Sequence, residues 1–202
     1  KKNKINRFEL TKKLALKFDD FAKIKMHCNR KKILFLSTPD GKTSLRFLTK
    51  VLKVPMIKIG SSEVTNHDFL KSIAKENLPI IFSTGMSTLS EVQKSMSIMR
   101  KSTKKEIIIL HCTTEYPAPY EEMNIRSMTT LEKKFKCRVG LSDHSTDNII
   151  AKLAIASGAD IIEKHIAINS HKESLDYNFS IKGKEIKKFR DDIDLAYKLI
   201  GK

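Results

Sequence analysis

"GLSDHSTDN", Gly140 to Asn148, and "IIEKHI", Ile161 to Ile166, are two short apolar runs that each end in a histidine flanked by charged or hydroxyl groups. A strand made only to fill a core has no use for such an ending, so the pair points to strand ends that carry chemistry. The same grammar extends outward along the chain. Including these two, six runs rich in β-branched residues recur: "ILFLSTP" from Ile33, "MIKIGSSE" from Met56, "PIIFSTGM" from Pro79, "IIILHCTTEYP" from Ile107, "VGLSDHS" from Val139 and "IIEKHI" from Ile161. Stretches between them, such as Leu89 to Arg100 and Asn148 to Ser157, carry helical periodicity, and Ser87 followed by Ser90 and Glu91 resembles a helix-start cap. Strand and helix in alternation predict a parallel sheet buried on both faces.

The strand ends then choose between a barrel and an open sheet. Each run finishes in polar groups: Ser37 and Thr38; Lys58, Ser61 and Glu63; Ser83 and Thr84; His111 through Tyr116; Ser142, Asp143 and His144; Glu163, Lys164 and His165. A barrel gathers all its C-terminal strand ends at one mouth, whereas an open sheet gathers only those near its switch point. The expectation is an α/β fold of the (β/α)8 TIM-barrel type. Six strands are two short of eight and the sequence does not open on methionine, so residues 1–202 are read as a partial catalytic barrel, about strands 3 to 8, lacking the first two.

Composition narrows the function classes. With 202 residues, 40% of them hydrophobic, the chain can bury a core. The lysine-rich start is not followed by the apolar segment of a signal peptide, and no apolar run reaches the roughly 18 to 20 residues of a membrane span, so no membrane partner is expected. Cys28, Cys112 and Cys137 are widely spaced without a C-x-x-C pair, which fits a reducing cytoplasm. The net charge of +16 raises nucleic acid as a partner. However, the stretch Lys1 to Lys32 holds twelve Lys or Arg against Glu9, Asp19 and Asp20, and reads as an amphipathic helix with Phe8, Leu14, Phe18 and Phe21 as core anchors. No nucleic-acid-binding signature accompanies it, so nucleic acid is set aside and a small anionic substrate is favoured.

Two histidines on adjacent strand ends, His144 and His165, could share a divalent metal with open coordination positions suited to polarising a carbonyl; each could equally be hydrogen-bonded to backbone at the start of a loop. Asp143 and Glu163 could orient them or pair with lysines. Lys58 falls inward on an otherwise apolar strand, where a charge is costly without an anion. It is read as an anion site, with a Schiff-base role or an ion pair with Glu63 as alternatives. Ser61, Ser62, Ser83 and Thr84 can donate to the same anion, with Gly85 allowing close backbone approach. Glu63 is the best-placed carboxylate for proton transfer.

"KIGSSEVTN", "FSTGMSTLSEV", "LHCTTEYPAPYEEMNIRSM", "VGLSDHS" and "IEKHI" resemble successive blocks of the sialic acid synthase (NeuB) family, in order and at family spacing, from about Phe35 to Asp176. The resemblance implies an enzyme of the transferase class that condenses phosphoenolpyruvate with an N-acetylated hexosamine, N-acetylmannosamine or a related bacterial sugar, to a nine-carbon 2-keto acid and phosphate. It implies that His144 and His165 bind Mn2+, with Mg2+ or Co2+ as substitutes. Lys58, Ser61, Ser83 and Ser142 would hold phosphoenolpyruvate, Thr38 would lie on its phosphate side, and Glu63 would act as acid and base. Tyr116 and Asn66 would lie near the ligands, and Asp176 would contact the amino sugar.

The chain departs from the family pattern where "STPF" becomes "STPD" and where "GPD" becomes "SLD" at Ser174 to Asp176. The family's first two strands, with a further lysine and glutamine, have no counterpart here. Neither has its C-terminal antifreeze-like (SAF) domain, which lends an arginine to the partner subunit of a homodimer. That leaves room for the segment to be inactive by itself. A class I aldolase or other phosphoenolpyruvate-using synthase on the same barrel, and a non-catalytic remnant binding a sugar phosphate or a partner, stay open as rival readings; which amino sugar is used does not follow from these residues.

Overall fold

Five of the six apolar runs pair into one parallel sheet in the computed structural model, which describes residues 7–168 and 174–201. The strands are β1 (Ile57–Ile59), β2 (Ile80–Ser83), β3 (Ile107–Cys112), β4 (Val139–Asp143) and β5 (Ile161–Lys164), hydrogen-bonded in the order β1-β2-β3-β4-β5. Each strand thus lies beside its sequence neighbour. A doubly wound sheet reverses direction at a switch point; an unbroken order is that of a barrel wall. Helices α4 (His67–Lys75), α5 (Leu89–Ser102), α6 (Ser127–Phe135) and α7 (Ile149–Ala156) make the crossovers, and α8 (Ile186–Leu199) packs on α7. The structure thus has an α/β barrel-like fold.

Local chemistry sets the helix ends. Asn66 caps α4 by accepting from Phe69 N–H. At α5 the cap is Thr88, one residue past the expected Ser87: Thr88 and Glu91 bond reciprocally as a capping box. Helix α7 closes on Gly158 at φ +102°, a left-handed conformation that glycine adopts without strain.

The strands alternate between two faces. Ile57, Ile59, Ile80, Phe82, Ile109 and Leu141 point one way, and Ile162 on that face packs against Ala151 and Ile155 of α7 and Ile193 of α8, so this is the helix-covered side. By register the opposite face carries Lys58, Ile81, Ser83, Leu110, Cys112, Gly140, Ser142, Ile161 and Glu163. A Cβ on Gly140 would sit 2.3 Å from the Ile161 carbonyl oxygen, which is why this inner layer has no side chain there. The expected final strand is interrupted at His165. Ile166–Ala167 (β6) then pairs with Ile181–Lys182 (β7), a short strand with no signal in the sequence.

The chain divides into two units, 1–54 and 55–202. In the first, α1 (Arg7–Leu14) and α2 (Phe18–Arg30) precede an irregular stretch, and α3 (Lys42–Arg46) runs into a π-helical turn, Phe47–Val51. The run from Ile33 is therefore not a strand, contrary to expectation. Its first residue closes α2 instead: Lys32 turns left-handed at φ 57° and Ile33 N–H bonds back to the Cys28 carbonyl. Phe8 and Leu14 are not core anchors either, being 71% and 64% exposed. Phe21 does pack on Leu48, Leu52 and Val54, and Phe18 stacks on Phe47 at 4.3 Å. Apolar periodicity marks which stripe of a helix is apolar, not whether anything covers it.

Candidate active site

The inner face of the second unit ends in a polar cluster whose centre is Lys58. Its ammonium donates to Ser83 Oγ at 2.8 Å and to the Ile59 carbonyl at 3.1 Å, and faces Glu163 Oε2 at 3.4 Å. Ser142 Oγ donates to the other oxygen of Glu163 at 2.6 Å. The expected inward lysine is confirmed, but its carboxylate partner is Glu163 from across the sheet, not Glu63 nearby in sequence. Asp143 and Lys164 fall on the opposite, helix-covered face, where they form an ion pair of 2.8 Å. Of the two roles expected for Asp143, orienting a histidine or pairing with a lysine, the structure shows the second.

His144 and His165 come together as expected, their ring centroids 5.2 Å apart. Tyr116 lies 4.3 Å from the His144 ring, and buried Phe179 lies 5.0 Å from the His165 ring. His144 Nδ1 faces the Thr113 carbonyl at 3.0 Å, and His165 Nδ1 faces Asp176 Oδ2 at 3.3 Å. Each contact engages Nδ1 on an oxygen acceptor and leaves Nε2 as the nitrogen for another partner, the arrangement of metal-ligating histidines. Among the described residues no group of three or more His, Cys, Asp and Glu is placed to hold a metal ion. Two imidazoles, close together with both Nδ1 atoms engaged, are the donor set that the described residues offer here.

Charge and burial act on these groups in different senses. Burial pushes His165 below its ordinary value, opposed by the Asp176 charge and reinforced by His144. Burial also lowers His144, but its contacts with Cys112 and the Thr113 carbonyl, together with the Glu163 charge, outweigh that and bring it net upward. Reciprocally, the Cys112 thiol is raised by burial, yet His144, Thr114 and Ser61 bring it net below the ordinary thiol. Tyr116 is pushed up by burial and by the charges of Cys112, Asp176 and Glu163.

The remaining expected residues are distributed around this core. Glu63 sits on a 3-10 turn, Ser61–Glu63, directly after β1, and accepts from Asn66 Nδ2 at 2.7 Å. Asn66 thus joins two structural tasks, capping α4 and orienting Glu63. Ser61 Oγ accepts from Gly85 N–H at 2.9 Å. A Cβ on Gly85 would fall 1.9 Å from Thr114 Oγ1 and 2.9 Å from Ser61 Oγ. Side chains of this unit therefore already fill the close-approach space expected for a ligand. Thr38 is exposed on the irregular stretch of the first unit. The sequence allowed Glu163 to pair with a lysine without naming Lys58, and it missed Cys112 beside His144 and Phe179 against His165. Period-two alternation from Ser142, read across to "IIEKHI", would have put Glu163 inside; Phe179 left no comparable signal.

Residues 1–202, the whole chain, match the NeuB family. An N,N'-diacetyllegionaminic acid synthase of Campylobacter jejuni is 37% identical over 201 residues, 98% of this chain and 60% of its own length. An uncharacterized protein of Methanocaldococcus jannaschii is 34% identical over 194 residues, 96% of this chain and 57% of its own length. The chain thus spans between 57% and 60% of these curated relatives. A crystal structure of N-acetylneuraminic acid (sialic acid) synthetase from Leptospira borgpetersenii serovar Hardjo-bovis, in complex with citrate, superposes with a TM-score of 0.92 at 32% identity, covering 99% of this chain and 70% of that one. With its lysine-centred cluster and paired histidines at the C-terminal ends of consecutive parallel strands, the chain belongs to the NeuB family.

Proposed function

We propose that the protein is a nonulosonic acid synthase, joining the methylene carbon of phosphoenolpyruvate to the aldehyde carbon of an open-chain N-acetylated amino sugar, with water adding at C2 and phosphate leaving by C–O cleavage. One observation carries this reading: Lys58, Ser83 and Ser142 on one inner face lie at the same strand ends as the two histidines whose Nε2 atoms are unengaged by the contacts above. An anion site beside a two-imidazole site is what an anionic enol donor and a carbonyl acceptor require.

In this mechanism Lys58 offsets the negative charge of the phosphate and carboxylate, and the serine hydroxyls donate hydrogen bonds to their oxygens. His144 and His165 would hold a divalent ion, Mn2+ or in its place Mg2+ or Co2+, which supplies Lewis acidity to the sugar carbonyl when bound. Glu63, oriented by Asn66, moves the protons. Tyr116 and Phe179 wall the histidine side of the site, and Asp176, already at His165, contacts the sugar. Further strands completing the barrel, homodimer formation and a cytoplasmic setting belong to the same reading.

The test is turnover by the intact protein of phosphoenolpyruvate with N-acetylmannosamine, its 6-phosphate, and the diamino sugars that precede legionaminic and pseudaminic acids, with manganese present. Sugar-dependent phosphate release supports the reading. A pyruvate adduct trapped on Lys58 by borohydride, without phosphate release, would replace it by a class I aldolase.

A further inference from the structure

We propose that Glu163 is a displaceable counterion of Lys58: it neutralises the lysine while the anion site is empty, yields the ammonium to an incoming phosphate or carboxylate, and reclaims it as the anion leaves. The inference rests on the reading of Lys58 as an anion site and adds a residue which that reading does not use.

Three observations carry it. First, the contact is loose. Lys58 Nζ and Glu163 Oε2 stand 3.4 Å apart, longer than a charge-assisted hydrogen bond. Second, Lys58 does not depend on Glu163 for its place, because Ser83 Oγ and the Ile59 carbonyl hold the ammonium at 2.8 and 3.1 Å. Third, the two members are unequally covered: the Lys58 side chain is 12% exposed and that of Glu163 is 40% exposed. The carboxylate can therefore retreat into water while the lysine stays, and a partly solvated carboxylate costs little to release. Its other oxygen is tethered by Ser142 Oγ at 2.6 Å, which keeps it within reach for return. A site that must bind a multiply charged anion and then discharge phosphate gains from such a competitor, since an unopposed buried lysine would retain the product.

The experiment is calorimetric titration of the intact protein with phosphoenolpyruvate and with inorganic phosphate, comparing the parent with Glu163→Gln, Glu163→Asp and Lys58→Met. Removal of the carboxylate charge should tighten both anions by roughly twofold to fivefold, the upper range of a partly exposed charge pair. Glu163→Asp, which keeps the charge at the mouth, should bind like the parent. Unchanged or weaker binding in Glu163→Gln, or equal tightening in Glu163→Asp, overturns the counterion role, provided that Lys58→Met binds both anions more weakly. If Lys58→Met binds like the parent, the anion-site reading itself fails, and the counterion with it. Glu163→Ala, read the same way, stands in should the amide variant not fold.

Discussion

Neighbouring residues of β5, Glu163 and Lys164, enter two acid–base pairs that are opposites. Asp143 and Lys164 meet at 2.8 Å on the helix-covered face with side chains 0% and 4% exposed. Lys164 also donates to the Ser145 carbonyl, and Asp143 accepts from Ser145 N–H at 2.8 Å. One residue earlier on each strand, Ser142 and Glu163 look inward, and Glu163 meets Lys58 at a longer distance and partly in solvent. The outer pair is closed, its polar capacity spent on holding the turn after β4. The inner one keeps capacity to spare. Alternation along a strand has thus separated a buried ion pair from a partly solvated one across a single peptide bond.

Breaking the outer pair should give the largest effect. Lys164→Met leaves Asp143 buried without its cation, a loss of about 3 to 5 kcal/mol. Chemical denaturation of the intact protein would measure it, and a loss under 1 kcal/mol would mean that Asp143 had found another partner. Lys58→Met on the inner face should by contrast cost under about 1 kcal/mol in the same assay, because Glu163 stays hydrated and bonded to Ser142.

On the inner face the losses should appear in function. His144→Ala or His165→Ala should reduce turnover by roughly a hundredfold or more and weaken manganese binding, whereas His67→Ala and His111→Ala should be tolerated better. His171 lies outside the described residues. Manganese titrations indistinguishable from the parent for both variants would end the paired-imidazole reading. Lys58→Met should next raise the KM for phosphoenolpyruvate by about tenfold or more, with a smaller change for the sugar. A change confined to the sugar would move the lysine to the other substrate.

The smallest effect belongs to the exposed pairs of α8, which resemble neither face. A side-chain hydrogen bond from Lys188 lowers Asp192, and one from Arg190 lowers Asp194. A depressed carboxylate contributes stability above its unfolded value and loses it as pH falls through the folded one. Asp192→Asn and Asp194→Asn should therefore leave stability at pH 7 close to that of the parent, and flatten the decline in acid. An equally steep acid decline in the double variant would show that other carboxylates govern it.

How much of this was legible in the chain depends on the distance over which each feature is decided. The paired histidines and the inward lysine were readable because each lies at a fixed place in an apolar strand. The cap of α5 was readable to within one residue, and Asn66 showed no sign that it would serve both a helix and a carboxylate. The run from Ile33 has the composition of a strand, yet its backbone closes a helix and continues irregularly. β-propensity records that a segment suits a pleated surface; a ladder partner makes it a strand.

By itself, the sequence determined the alternation of strand and helix, the polar strand ends and the burial of a charge at Lys58. Periods of two and of about 3.6 residues are local properties, enforced by backbone sterics wherever the pattern occurs. Only the tertiary structure decided that Lys58 meets Glu163 and not Glu63, that Asp143 and Lys164 turn away from the site, and that Cys112 and Phe179 close on the histidines. Those pairings follow from the approach of the two sheet edges, β1 and β5, from the register of β4 on β5, and from the return of a distant loop. Coulomb attraction depends on distance in space, and a chain of alternating faces places a residue beside partners that its own neighbours do not name.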